Sequence, residues 1–488
     1  VPSRNGTPAE LPPAVALVAR TDLVATAVGG ALVLAIAAVL LYLGLAHTIA
    51  LLVAGVVALI FFGFPLATLL FFFGARNVID LLWWVDVTVF GLNPLQIFSG
   101  TVGALVGVLF LTHLKRIERM PPFAAFLGFA VLVFVGFFRS ADLVASVDDL
   151  VRYLSPFFLM FLVASLHDTP AKRKALVYTI ATTGAIAVGV SLYHLLTGQM
   201  DSTVHHGYHR LLGGYKNLHN HALVMMFVAQ LFFVLTLNQK TALRTAICAA
   251  ICATATVCMW LTYVRTAAVG LVAFLAVYLV LERRFRLLAG VLVGMLVFAA
   301  TSAVAQDRFS DLVRFWLNDP LQGGRRGLGS GRWDLWTMSI SNFLEQPWTN
   351  QILGLGLYGY TEVTSDWLSK FSPGGIRSID PHNDYLSLLY QLGPVAVVAY
   401  VWMQWDVARN ALLVGHGSAD PWERSLCHFV VGMTATVIVT NCVSNAFVQR
   451  TTLAWYYWGL AGLVFALRVA RETEWAEKMR PRPLAPVP

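Results

Sequence analysis

The chain has 488 residues, of which 58% are hydrophobic and only 12% charged; a soluble domain carries about 25% charged residues. That deficit excludes an ordinary soluble enzyme and a disordered chain, and the lack of strand-type alternation excludes an outer-membrane barrel. Apolar runs of about 20 residues recur along the whole length, the pattern of an all-α, polytopic helical membrane protein. The net charge of +8 reads as basic loops on the cytoplasmic side, not as a nucleic-acid surface.

In chain order, the apolar runs predict spans at 23–45, 47–73, 97–113, 123–138, 149–167, 174–196, 218–238, 243–262, 265–282, 286–305, 383–405, 425–447 and 453–470. Allowing for a break near Pro65 or Gly74, the expectation is about 12–14 transmembrane helices. The organisation expected is an N-terminal tail at 1–22, a helix bundle at 23–305, a large loop with short helices at 306–381, C-terminal spans at 382–470 and a cytoplasmic tail at 471–488. Lys115, Arg116 and Arg119, Lys172 to Lys174, Lys240 and Arg244, and Arg283, Arg284 and Arg286 fall in alternate loops. All can be cytoplasmic together. The loops 139–148 and 197–217 and the large loop are then extracytoplasmic. The five cysteines lie in apolar stretches without metal-ligand spacing, so they are read as packing residues.

The large loop is too long for a structureless connection. Trp316, Trp333, Trp336, Trp348, Trp367, Tyr358 and Tyr360 suit either a small core of its own or platforms for sugar rings. Arg325, Arg326 and Arg332 stand among Gly323, Gly324, Gly327, Gly329 and Gly331, a composition able to approach an anion closely. The loop ends in Asp380-Pro381-His382-Asn383-Asp384. Asp380 suits an N-cap and Pro381 the first helical position. His382 would then lie in the first turn, where the helix dipole favours the neutral imidazole that a general base needs.

Two further arginines oppose the positive-inside bias. Arg265 lies on the sharp turn after Leu261 and Thr262, and Arg210 in the outer loop with Gly213, Gly214, Tyr215, Lys216 and Asn217. Arginines at an outer, membrane-level turn invite a functional explanation. Together they can bind a diphosphate at the membrane surface, with His382 activating a hydroxyl beside it. The crowd of His205, His206, His209, His219 and His221 has no completing carboxylate or cysteine, so no metal is expected. Asp80 and Asp86 could sit in an outer loop before residue 97, where they would suit a metal-dependent alternative.

Four elements occur in the order found in the O-antigen ligase and O-antigen polymerase superfamily. They are Arg210 with Gly213, Gly214 and Asn217; Thr262 with Arg265; Ser330-Gly331-Arg332 with Trp336, Pro347 and Gly354-Leu355-Gly356; and Pro381 to Leu386 with Gly393. The chain resembles that superfamily over about residues 95–470. It departs from it at Val264, where a serine often precedes the arginine. The resemblance implies a bacterial inner-membrane glycosyltransferase that needs no metal or other cofactor. It would act at the periplasmic face on an undecaprenyl-diphosphate-linked glycan donor, with inversion. Its acceptor would be a second lipid-linked glycan (a polymerase of surface polysaccharide, the preferred reading) or lipid A–core (a ligase). Its partners are those substrates and membrane lipids. The implied roles are His382 as catalytic base and Arg210, Arg265 and Arg332 as diphosphate ligands. Tyr215, Lys216, Arg325, Arg326, Trp336 and Asn383 are candidate substrate contacts. A transporter of lipid-linked glycans is the competing class, with few charges inside the spans to support it.

Overall fold

The computed structural model describes residues 55–56, 62–81, 94–200, 209–301, 332–360, 381–448 and 451–478. Among them every regular element is a helix. In chain order these are α1 (Pro65–Leu81), α2 (Pro94–Thr112), α3 (Leu114–Ile117), α4 (Phe123–Phe138), α5 (Leu143–Leu166), α6 (Pro170–Leu196), α7 (Leu218–Asn238) and α8 (Ala242–Trp260). There follow α9 (Arg265–Leu281), α10 (Phe285–Thr301), α11 (Arg332–Glu345), α12 (Trp348–Leu353), α13 (Asp384–Leu392), α14 (Pro394–His416), α15 (Pro421–Asn441) and α16 (Thr451–Lys478). Five of them, α5 to α8 and α16, are long and apolar enough to cross a membrane, and four shorter apolar helices accompany them. The chain is an all-α, multi-pass membrane protein.

Local chemistry sets the helix starts. Asp142, Thr169, Asn217, Thr241 and Asp420 each cap a helix by accepting a backbone N–H, and Pro170 and Pro421 occupy the first turn. Several sequence boundaries shift for the same reason. The Asp142 cap starts α5 at Leu143, so Asp148 and Asp149 belong to the helix, where both pair with Arg152. The expected span 383–405 is two helices, α13 and α14. They are separated at Gly393, whose φ of +80° and following proline end one helix and start the next. The span 425–447 ends at Asn441, and residues 442–448 fold inward as irregular chain. Gly74 does not break the chain but lies within α1, which begins at Pro65.

Helix α16 is the core. Trp455, Tyr456, Tyr457 and Trp458 are all fully buried, and the helix packs against α5, α14, α15 and α1. A helix apolar around its whole circumference requires that central place. By contrast α8 and α10 expose Leu243, Ile247, Leu292, Val293 and Leu296, as helices facing lipid do.

Polar contacts between helices occur within the bundle, as between Gln230 and Thr436 and between Trp455 and Ser155, and others mark its two ends. At one end Arg173 meets Glu423 at 3.0 Å, Arg471 meets Glu423, and His428 meets Glu282 at 2.8 Å. This end carries the basic loops. The opposite end carries the 209–217 and 261–265 turns, α11 to α13 and residues 442–448. Gly354 and Gly356, at φ of +73° and +99°, let the chain run flat along the end of α13. There Leu355 and Gly356 N–H donate to the carbonyls of Tyr390 and Gln391, and Leu357 N–H to that of Gly136 on α4. A small second core of Phe343, Tyr360, Leu386 and Tyr390, flanked by Trp336, holds the segment together.

Candidate functional site

Arg210 stands on a loop whose following residues are tied down by several contacts. Leu211 N–H donates to the Leu261 carbonyl at 3.1 Å, which fastens this loop directly to the turn that carries Arg265. His221, fully buried in α7, grips the Leu211 carbonyl through Nδ1 at 2.9 Å and Ser191 Oγ through Nε2 at 2.9 Å. Gly213 and Gly214 have φ of +56° and +83°. A Cβ on Gly213 would sit 2.2 Å from His221 Nε2, so glycine is required for the loop to lie on that imidazole. Tyr215 is buried, stacks on His221 and donates from Oη to Asn77 Oδ1 at 2.6 Å. Its burial pushes the phenol well above its ordinary range. The structure thus uses Tyr215 to support the loop, while Lys216 beside it is exposed.

Arg265 is the first residue of α9 and is half-buried. The residue before it, Val264, is the N-cap and offers no side-chain oxygen. Thr262 supplies what is missing: its hydroxyl donates to the Met259 carbonyl at 2.6 Å and accepts from Val264 N–H at 3.2 Å. The turn keeps its shape without a serine at 264.

His382 is not in the first turn of a helix. Asn383 is the N-cap of α13, accepting from Leu386 N–H at 2.9 Å, so His382 stands just outside with φ of +49°. Left-handed backbone at a non-glycine residue persists only where its surroundings hold it. Here Trp336 Nε1 donates to the Pro381 carbonyl at 2.7 Å, and Asn383 Nδ2 to the Cys442 carbonyl at 2.9 Å. Asp384 Oδ2 accepts from the N–H groups of Ala446, Phe447 and Val448 at 2.9, 2.9 and 3.1 Å. Arg332, opening α11, donates to the Val443 carbonyl. Trp336, Asn383 and Arg332 thus all serve the seat of His382. Asp380, Arg325, Arg326, His205, His206 and Asp86 lie outside the described residues.

Two of the three regions are joined by the Leu211–Leu261 bond, and His219 provides the link to the third. It lies in the first turn of α7, where Asn217 Oδ1 accepts its N–H at 2.8 Å. Its ring stacks on that of His382, with centroids 6.0 Å apart and planes at 29°. In sequence His219 was visible only as one of a crowd of histidines. The parts played by Asp384 and by residues 442–448 were missed altogether. Their signals were an acid following an asparagine cap, and Asn441, Ser444 and Asn445 interrupting an apolar run. Asp80, the acid considered for a metal, is paired to Arg76 at 3.4 Å and accepts from Thr452. Among the described residues no group of three or more His, Cys, Asp or Glu is arranged to hold a metal ion.

Fold and site together define a polytopic membrane protein in which Arg210, Arg265, His219 and His382 stand on turns at the end of the bundle opposite the basic loops. Residues 248–401 match the family model described as O-antigen ligase, and the match supports placing the chain in the O-antigen ligase and polymerase superfamily. It implies a glycosyltransferase-like enzyme and, in general, lipid-linked glycan substrates. The matched segment contains Arg265, Arg332 and His382 but begins after Arg210. No curated protein matches the chain.

Proposed function

We propose that the protein transfers a glycan from an undecaprenyl-diphosphate donor to a sugar hydroxyl of a lipid-anchored acceptor, at the periplasmic face of the bacterial inner membrane. The single observation that carries this reading is the bond between Leu211 and Leu261. It joins the Arg210 loop, outside the family match, to the Arg265 turn inside it, so two arginines share one end of the bundle with His382.

Arg210 and Arg265 hold the diphosphate and take up the charge that develops on it as the glycosidic bond breaks. Both act beside the low-dielectric membrane, where such interactions are stronger than in water. His382 accepts the proton of the acceptor hydroxyl. The oxygen then attacks the anomeric carbon in one displacement, inverting the configuration and expelling the lipid diphosphate. A diphosphate leaves without help from a strong acid, and the paired arginines do the work of a divalent cation. Arg332, which donates to the Val443 carbonyl beside the site, contributes to holding the diphosphate. The acceptor in this reading is a second lipid-linked repeat unit, making the enzyme a polymerase of surface polysaccharide. The description of the matched family favours a second reading, a ligase delivering the glycan to lipid A–core.

The test is transfer by the purified protein in liposomes, without divalent cations, supplied with polyprenyl-diphosphate glycan extracted from the source cells. A ladder of lengthening lipid-linked products that disappears in His382→Ala supports the polymerase. Product only after lipid A–core is added supports the ligase. Transfer that survives His382→Ala removes the base, and donor movement across the bilayer without transfer would make the protein a transporter.

A further inference from the structure

We infer that His219 is a positioning residue for His382: it holds the orientation of that ring and competes with it for a proton. The inference rests on the proposed role of His382 as base.

Three observations carry it. The rings face each other, offset, at 6.0 Å and 29°. The backbone of His219 is fixed in the first turn of α7 by the Asn217 cap. The backbone of His382 is held in the left-handed region at φ of +49°, and its two chain neighbours are bonded to α11 and to Cys442. The main chain of His382 is therefore clamped, and the His219 ring packed against it restricts rotation of the side chain. A general base must present one nitrogen to the acceptor hydroxyl, and a misdirected ring costs rate without weakening donor binding.

The same geometry couples the two protonations. Two imidazolium ions this close repel, so the pair takes up its protons in two steps shared between the rings. Among the described residues, the other titratable or charged groups at this end include Asp384 and Tyr385 on the adjoining α13, Cys442 on the segment beside it, Arg332 on α11, and Arg210 and Arg265 on the two turns. Of these, Asp384 is committed to three amides and Arg332 donates to a carbonyl. His219, in ring contact with His382, is a neighbour whose charge changes over the range in which an imidazole base works. It extends to lower pH the range in which His382 is neutral and competent.

The experiment compares His219→Phe, which keeps a flat ring without a charge, with His219→Ala, which removes both. Two quantities are read: steady-state transfer, and carbethoxylation of His382 by diethylpyrocarbonate, followed by peptide mass spectrometry across pH. The reagent attacks neutral imidazole and needs no glycan substrate. The Ala variant is expected to lose at least about tenfold in kcat with donor KM nearly unchanged, and Phe to restore most of it. In both variants the pH of half-maximal His382 modification rises by about one unit, half the separation expected from a charge pair at this distance. If Phe does not yield folded protein, His219→Gln must raise that midpoint equally. Unchanged kcat, equal losses in Ala and Phe, or an unmoved midpoint overturns the inference. Transfer surviving His382→Ala overturns the proposed function instead, and the modification midpoint still reports on the pair.

Discussion

Asp384 is the most consequential side chain in the site that does not itself take part in the proposed chemistry. It is fully buried, and one oxygen accepts the successive N–H groups of Ala446, Phe447 and Val448 at 2.9 to 3.1 Å. A hydrogen bond to a charged group contributes about 1.5–3 kcal/mol net. Three bonds to one oxygen are not additive, so the whole nest is set at about 3–5 kcal/mol, the cost of stripping the partner from a buried charged site. Asp384→Ala leaves three inward-pointing amides without an acceptor and should cost that amount. Asp384→Asn keeps an oxygen, loses the charge and turns an amide donor towards other donors, so it should cost about 2 kcal/mol. The assay is thermal unfolding of the detergent-solubilised protein by tryptophan fluorescence, with transfer measured well below the transition. Asp384→Ala should lower Tm by about 3–5 °C, with Asn between it and wild type. Transfer should fall further than stability does, because the segment that releases its amides also holds Asn383, next to His382, and Arg332. An Asp384→Ala protein with unchanged Tm and near-normal transfer would refute the claim that this nest fixes the site.

The Arg210 loop should fail selectively in Gly213→Ala. The added methyl meets His221 Nε2 at 2.2 Å and Ser191 Oγ at 2.7 Å, at φ of +56°. Transfer should drop by about tenfold or more, chiefly through donor KM, with the helical circular dichroism intact; a variant with wild-type KM would separate the loop from donor binding. At the other end, Glu423→Ala should destabilise by about 3 kcal/mol or more, because it strips the carboxylate from buried Arg173. The double change Glu423→Leu with Arg173→Met should recover most of that loss in the same unfolding assay. His167, the C-cap of α5, is held neutral by burial, with its pKa lowered from 6.5 to about 4. A base whose protonated form the fold disfavours stabilises fully above about pH 6.5 and loses that stability as pH falls towards 4, about 3 kcal/mol in all. His167→Asn should flatten the dependence of Tm on pH across that window, and an equally steep variant would show that another group is responsible. Chelation with EDTA should leave transfer unchanged, and a rate restored only by added Mg2+ would remove the two-arginine diphosphate site.

What the sequence made legible was whatever depends on periodicity and local chemistry. The helices at 123–138 and 218–238 fall where hydropathy alone sets them, because a run of apolar residues admits few alternatives in a membrane. The misjudged spans failed for a specific reason. Hydropathy averages over a break, so Gly393-Pro394 disappears inside 383–405, and the inward fold at 442–448 looks like the end of a span. A helix can stop early in such surroundings only if its backbone groups find other partners. The Asp384 carboxylate supplies them for three amides of 446–448, and the carbonyls of Cys442 and Val443 find Asn383 and Arg332.

The candidate site was half legible for a related reason. Arg210, Arg265 and His382 stand out because charged or titratable groups on membrane-level turns are costly and therefore conspicuous. Their assembly leaves no comparable mark. The bond that brings the two arginine turns together runs between the main chains of Leu211 and Leu261, and any pair of residues could make it. The glycines that permit it are readable only as a pair that admits positive φ, not as the part of the loop that lies on His221. The stacking of His219 on His382 joins two parts of the chain 163 positions apart. In sequence, His219 differs from His221 by two positions. In the fold, one supports the arginine loop from below and the other meets the proposed base, because successive side chains of a helix turn about 100° and these two diverge by about 200°. The cap at Asn217 fixes where that rotation begins, so it is the cap that decides which histidine reaches the site.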